Sequence, residues 1–475
     1  MTTARSLVIV GGGPSGMAAA LEALKGGARP TVLERLDKVG GLARTIEYQG
    51  CRFDIGPHRF FTMNPEIQKL FVEVCGADLC KVPRLTRIFY KRRYFNYPLT
   101  PLNALFGMGI LTSIRIFLSY VAARLRRVLG RPQLLSFEDW VVDRFGRRLY
   151  ETFFKTYTEK VWGISCRNIG ADWAGQRIKG LSLIAAIANA LFRSRTKTIK
   201  TLVDEFLYPR LGAGQLYEKM AALVTEGGGT VRTKAEVLRL NRSGFQVMSV
   251  DCRTDGQPQS IGGDFFLSSA PLTDLVQQLE PPAPAEVLEA ARSLRYRNHI
   301  GVNLIIEGDP PFPDNWIYVH SPDVRMARIC DYLNFSPEMS PSRGVRALTV
   351  EYFCFAGDDL WESTDQQLIE RAQVELKTMG IAHGRVVGAF AVRSEKAYPV
   401  IEIGYEAKIK VIKEFLDRFE NLLPIGRSGM FKYNNQDHAM ATGLYAARTA
   451  LGQGKFDPWL VNIDGVYHEA GTVTA

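Results

Sequence analysis

Three glycines in the spacing G-x-G-x-x-G, Gly11, Gly13 and Gly16, and a glutamate 18 residues beyond them, Glu34, are the residues whose types and spacing most directly imply chemistry. In that spacing the first glycine permits a tight turn, the second lets the backbone approach a pyrophosphate, and the third lets a helix pack closely on a strand. Glu34 is then placed to accept both hydroxyls of an adenosine ribose. Pro14 and Ser15 stand where a helix N-terminus would face the diphosphate. The implied chemistry is dinucleotide binding. No paired carboxylates and no nucleophile–base–acid set stand out along the chain, so the reacting group is expected to be the cofactor itself.

The elements around these residues are in the order this chemistry requires. Residues 7–10 are apolar and partly β-branched, as a buried parallel strand should be. Residues 15–24 read as the helix that follows the glycine loop, and residues 30–33 as a second strand ending at Glu34. A second flexible loop with a cation, Gly40, Gly41 and Arg44, suits a cofactor longer than a nicotinamide dinucleotide. His58 sits in a Gly-Pro-His loop.

At residues 34–60 the sequence resembles the flavoprotein superfamily of amine oxidases, phytoene desaturases, protoporphyrinogen oxidases and UDP-galactopyranose mutases. The shared element E-R-x-x-x-x-G-G-x-x-x-[ST] is matched by Glu34, Arg35, Gly40, Gly41 and Thr45. The resemblance implies an α/β protein and an enzyme whose cofactor is FAD, with a Rossmann-type FAD-binding domain and an inserted substrate domain made of helices and an antiparallel sheet. It also implies that Arg35, Gly41, Leu42, Arg44, Gly426, Arg427, Asn435 and Gln436 join the glycine loop in holding FAD. By the same resemblance the backbone of Val237 touches the adenine and His58 lies against the isoalloxazine.

Three further stretches are similar to the mutase branch. Leu149, Tyr150, Phe153, Tyr157, Thr158, Lys160, Trp162 and Gly163 match L-Y-x-x-F-x-x-x-Y-T-x-K-x-W-G; Asn96, Pro98 and Leu99 parallel Y-N-L-P-F-N; Gly426, Arg427, Lys432, Tyr433 and Asp437 match G-R-x-x-x-Y-K-Y-Y-D-M-D-Q. The resemblance implies that Tyr157, Trp162, Tyr433 and Asn435, with His58, are the catalytic or substrate-lining residues. Asn434 and Asn435 stand where the mutases have tyrosine and aspartate, and a tyrosine-rich diphosphate-binding segment is replaced by one with only Arg177 and Lys179 as cations. Two activities follow: action on a nucleotide-linked or otherwise activated sugar through reduced flavin, or removal of a hydride from a bulky substrate, as an oxidase or desaturase does.

The FAD-binding domain is expected in three pieces, 1–95, 205–272 and 400–475, with a helical insert at 96–204 and an antiparallel substrate sheet at 273–399. Within these, Ser136 followed by Asp139 marks a helix start and residues 364–378 read as a helix. Hydrophobic residues at 46% and charged residues at 23% are ordinary for a globular chain and exclude disorder. A formal net charge of +10 suits an anionic small-molecule substrate, and the absence of a compact basic block or recognition module argues against nucleic acid. Seven scattered cysteines without a Cys-x-x-Cys pair imply reduced thiols, no metal site and a cytoplasmic protein. Residues 110–127 form a helical pattern with an apolar face and a basic end. That pattern is too short and too interrupted to span a bilayer, but it suits peripheral contact with the inner membrane face.

Overall fold

A computed structural model describes residues 5–97, 103, 107–130, 133–171, 173, 205–381 and 384–462. Ser6–Val10 (β1) is the middle strand of a five-stranded parallel sheet ordered Leu422–Pro424, Phe265–Ser268, β1, Arg29–Leu33 (β2), Thr230–Arg232. Val8 and Ile9 are fully buried because both faces of this sheet are covered, which is why the strand is a continuous apolar run. On one face lie the helices Pro14–Lys25 (α1), Gly214–Glu226 (α2) and Gln436–Ala450 (α3); on the other lie a four-stranded sheet and the apolar sides of Leu272–Gln277, Ala285–Arg292 and Tyr405–Leu416. The α/β, Rossmann-type reading of the sequence therefore holds.

Small residues set how closely α1 meets α3. Ala18, Ala19, Ala20, Ala446 and Ala447 are fully buried between them. A Cβ on Gly443 would stand 1.9 Å from the Ser15 carbonyl oxygen, and one on Gly16 would stand 1.9 Å from the Gly11 carbonyl oxygen. Neither position has room for a side chain.

The second layer is a seven-stranded sheet ordered Arg385–Pro399, Tyr296–Glu307, Val345–Cys354, Arg328–Asp331, Trp316–Val319, Thr86–Tyr90, Arg93–Asn96. Its pairs are antiparallel except for Trp316–Val319 with Thr86–Tyr90. This moves a boundary. The sequence pattern ends the first cofactor segment at 95, yet residues 86–96 belong to the substrate sheet, where the Arg87 guanidinium makes a 2.5 Å ion pair with buried Asp314. Conversely, residues 272–292 pack on the cofactor side rather than in that sheet. In both cases the deciding partner is far away in sequence.

The helical insert contains Ile110–Leu129 (α4) and Phe137–Phe145 (α5), followed by Arg147–Leu149, a π turn at Tyr150–Lys155 and Thr156–Trp162. The Ser136–Asp139 capping box forms as expected, with Ser136 Oγ accepting from the Asp139 amide. Thr364 likewise caps Asp365–Thr378. Pro98, Leu99, Arg177 and Lys179 lie outside the described residues. No helix among the described residues is long and apolar enough to cross a membrane, and all seven cysteines are unpaired.

Replacing Gly443 with Ala should lower stability by about 1–3 kcal/mol, the usual cost of forcing a methyl into a packed contact. Urea unfolding of the FAD-loaded protein measures this. An unchanged midpoint would mean that α1 and α3 are not in backbone contact.

Candidate active site

One cavity of about 1220 Å³ runs from the carboxyl ends of the parallel strands to the seven-stranded sheet, closed on a third side by the helical insert. That exceeds the roughly 300–1,000 Å³ of a typical small-molecule site, leaving room for a dinucleotide and a substrate together. Its position outside the carboxyl ends of a parallel sheet is where this architecture binds ligands.

The cofactor end is built from two loops seated on each other. Gly11 has a φ of +95°, and its amide donates to the Leu33 carbonyl at 2.8 Å, turning the chain sharply off β1. Gly40 and Gly41 also take positive φ; the Gly40 amide donates to the Gly12 carbonyl, and a Cβ on Gly41 would come within 3.2 Å of the Gly13 Cα. The two loops thus present glycine backbone to one another, and Gly11, Gly13, Pro14, Ser15, Gly41 and Leu42 line the cavity. Gly16 does not reach it: its role is the close packing described above.

Glu34 is buried at 5% exposure, its Oε2 accepting from the Gly12 amide at 2.8 Å and its Oε1 from the Leu36 amide at 2.9 Å. Burial pushes its pKa up, while the two amides and the nearby Arg35 and Arg44 pull it back. Each carboxylate oxygen keeps a further lone pair for a ribose hydroxyl. Arg44 lines the same stretch and is braced by a 2.8 Å bond to the Gly41 carbonyl. Arg35 and Val237 line it too, the Val237 carbonyl accepting from Gln278. Thr45 has a structural role: its hydroxyl donates to Asp54 and accepts from the Gly214 amide, joining this region to α2.

Past the diphosphate end, Asn435 and Gln436 line the cavity at the N-terminus of α3. The Gln436 side chain is held by the Tyr217 hydroxyl at 2.7 Å. Gly426 stays behind the wall, where a Cβ would meet Ser15 Oγ at 2.5 Å. Arg427 does line the cavity, donating to the Asn434 carbonyl at 2.7 Å and lying 5.0 Å from the ring centres of both Tyr398 and Tyr433.

His58 lines the cavity and its Nε2–H donates to the Ile55 carbonyl at 2.8 Å. Burial, then the positive charge of Arg427, lowers its pKa to about 4. It is therefore neutral near pH 7, with its one N–H committed to the backbone. Tyr157 stacks on His320 at 4.6 Å, and Tyr398 stacks on Tyr433 at 5.7 Å. Trp162 departs from expectation. It is not among the cavity-lining residues and packs one layer back against Tyr433, Tyr398 and Trp173. Lys160 is also structural, donating to the carbonyls of Val319, Ser321 and Met326.

Sequence reasoning missed the residues contributed by the seven-stranded sheet: Tyr318, His320, Arg328, Lys396 and Tyr398 all line the cavity. Arg328 is held by a bidentate pair to fully buried Glu351, at 2.6 and 2.5 Å, while His299 donates to the same carboxylate at 2.9 Å. These contacts hold the Glu351 carboxyl well below its ordinary range. A Cβ on Gly56 would lie 3.1 Å from Glu351 Oε2, so the His58 loop rests directly on this cluster. A signal was present: a glutamate inside the apolar stretch 345–354 demands a buried cationic partner.

Two outcomes follow from the geometry. Replacing Glu34 with Gln should weaken FAD binding by about 1–3 kcal/mol, the scale of charge-assisted hydrogen bonds, in a fluorescence titration of apoprotein; equal affinity would remove the carboxylate from the site. His58, with its folded pKa near 4 and an ordinary value of 6.5, should show no imidazole titration by NMR between pH 5 and 8. The unfolded chain takes up that proton first, so His58 makes stability fall as pH drops from 6.5 towards 4, and His58→Asn should flatten that part of the unfolding profile.

Comparison with known proteins shows the family of the chain and its fold. Residues 14–399 match the model of the flavin containing amine oxidoreductases. The chain is 26% identical over 410 residues to the coproporphyrinogen III oxidase of Mycobacterium tuberculosis, covering 80% of this chain and 84% of that protein. It is 28% identical over 264 residues to the phytoene dehydrogenase of Streptomyces griseus, spanning 51% of this chain and only 50% of that relative. The crystal structure of reduced UDP-galactopyranose mutase superposes with a TM-score of 0.83 at 19% identity, over 96% of this chain and 99% of the other. The cofactor is FAD, and the chain belongs to the flavin-containing amine oxidoreductase family.

Proposed function

We propose that this flavoenzyme acts on an anionic, activated sugar, nucleotide-linked or lipid-linked. The observation that carries the reading is the make-up of the chamber beyond the cofactor loops, where Tyr157, Tyr318, Tyr398 and Tyr433 share one space with Arg328 and Arg427. Tyrosine faces pack against the C–H faces of a sugar ring, and guanidinium groups bind phosphate oxygens in bidentate fashion. Bound FAD supplies the two-electron chemistry. The chain's own groups bind and orient. Burial raises the Tyr157 and Tyr398 pKa values, so both hydroxyls stay protonated and serve as hydrogen-bond donors. Neutral His58 delivers no proton to the chamber from its committed Nε2–H. The Lys396 ammonium is paired with Asp274, which removes the adjacent carboxylate as a free base. Superposition on a reduced UDP-galactopyranose mutase supports the reading.

A specific observation favours a second reading. The same cavity is lined on the side of the helical insert by an apolar arm of side chains, Ile88, Phe137, Phe145, Leu149 and Phe153, which belong to one core cluster and suit a bulky apolar substrate losing a hydride. The phytoene dehydrogenase and coproporphyrinogen III oxidase relatives support this alternative.

Anaerobic incubation with a panel of nucleotide sugars, with and without dithionite, separates the two. Product formed only by the reduced enzyme, with no net change in flavin redox state, is the expected result. Apolar substrates that bleach the oxidised flavin stoichiometrically, with no sugar turnover under either condition, would replace the sugar reading by the second.

A further inference from the structure

The α4 helix, Ile110–Leu129, is apolar on the side away from the protein. Its buried stripe is narrow, consisting of Ser113, Ile116, Tyr120 and Ala123. At 3.6 residues per turn, Ile110, Leu111, Ile114, Phe117, Leu118, Leu125, Val128 and Leu129 fall on one outward stripe roughly 120° wide. All of these are exposed, Leu118 at 60%, Val128 at 85% and Leu129 at 87%. An apolar patch this continuous marks an interaction surface.

Its charge says what the surface meets. The helix carries four arginines, Arg115, Arg124, Arg126 and Arg127, and no acid. On the helical projection Arg124 borders the apolar stripe on one side and Arg115 and Arg126 border it on the other. Beside the helix, Arg115, Ser119, Arg147 and Arg148 line a shallow recess of about 390 Å³ with Leu118 and Glu151. The recess exists because Gly146 lets the chain turn against α4: a Cβ there would lie 2.8 Å from the backbone of Ser119. The Arg148 amide donates to Ser119 Oγ, fixing the arginine pair beside the helix. Arg148 pairs with Glu151 and Arg147 with Glu138, whereas Arg115 and Arg126 make no ion pair among the described residues.

We propose that the outer face of α4 is a docking surface for an anionic phospholipid bilayer. The apolar stripe enters the acyl boundary, and Arg115, Arg126 and the Arg147–Arg148 recess take the headgroup phosphates. A helix lying in the interface plane needs no membrane-crossing length, in keeping with the absence of such a helix among the described residues. Docking sets the cavity close to lipid. Ile116, on the inner stripe, belongs to the same core cluster as Phe137, Phe145, Leu149 and Phe153, the residues of the cavity's apolar arm.

The test is sedimentation of the FAD-loaded full chain with phosphatidylcholine vesicles, with and without phosphatidylglycerol, over a salt series. Binding that requires phosphatidylglycerol and weakens as salt rises is the expected result. The double variants Ile114→Ser/Leu118→Ser and Arg115→Gln/Arg126→Gln should each reduce the partition coefficient by roughly tenfold, with flavin spectrum and melting temperature unchanged. The proposal is overturned if the wild type stays in the supernatant at low salt, or if both variants partition as it does. Light scattering tests the other occupant. A dimer that both variants dissociate, and that vesicles do not bind, would assign this face to a second copy of the chain.

Discussion

The start of α1 is seated against the middle of α3, and the cavity depends on that contact. α1 and α3 touch through backbone at Ser15 and Gly443, a contact that alanine-sized residues along both helices allow and that larger ones would prevent. Pro14 and Ser15 at the start of α1 line the cavity, and so does Gln436, which stands about 10 Å further along α3 from the contact at Gly443. A helix N-terminus leaves backbone N–H groups without partners and carries the positive end of its dipole. The N-terminus of α1, with Arg44 alongside, makes a region suited to the diphosphate of FAD, and that of α3 opens on the cavity past it. The packing of small side chains thus determines where the anion binds.

A different kind of constraint organises the far side of the cavity. Arg328 and Glu351 face each other on adjacent strands, and the buried pair they form, with His299 on the next strand, fastens three strands of the large sheet beneath the loop that carries His58. Removing one member of such a cluster would leave a buried charge unpaired, which is far costlier than replacing the whole cluster with apolar residues. The cluster therefore holds the His58 loop and the Arg328 side chain in a fixed relation. The substrate chamber is formed where this fastened sheet meets the helical insert, through contacts such as Tyr157 with Tyr318 and His320.

What could be read from the sequence was local. The turn at Gly11, the acid at Glu34, the glycine pair at Gly40 and Gly41, and the cap at Ser136 each belong to a short pattern of residues, and each appears in the structure where its pattern placed it. The misplaced features depend on register over long distances. Residues 86–96 join the large sheet because Thr86–Tyr90 pairs with Trp316–Val319, more than two hundred residues away. Trp162 matches a sequence pattern for a substrate-facing residue, yet the packing of the helix that ends there turns it towards Trp173 and Tyr433. Tyr318, Arg328 and Tyr398 were not found because alternation shows that a strand has two faces without showing which face meets the cofactor. Glu351 was not found either, although a carboxylate in so apolar a strand demands a buried cationic partner.

The central claim is that the FAD diphosphate lies where α1 begins, and a crystal structure of the FAD-bound protein tests it most directly. The expected result is diphosphate density within hydrogen-bonding distance of backbone amides in the Gly11–Gly16 loop, with Glu34 on the adenosine ribose. A diphosphate found instead among Arg328, Lys396 and Arg427, with the N-terminus of α1 unoccupied, would contradict it.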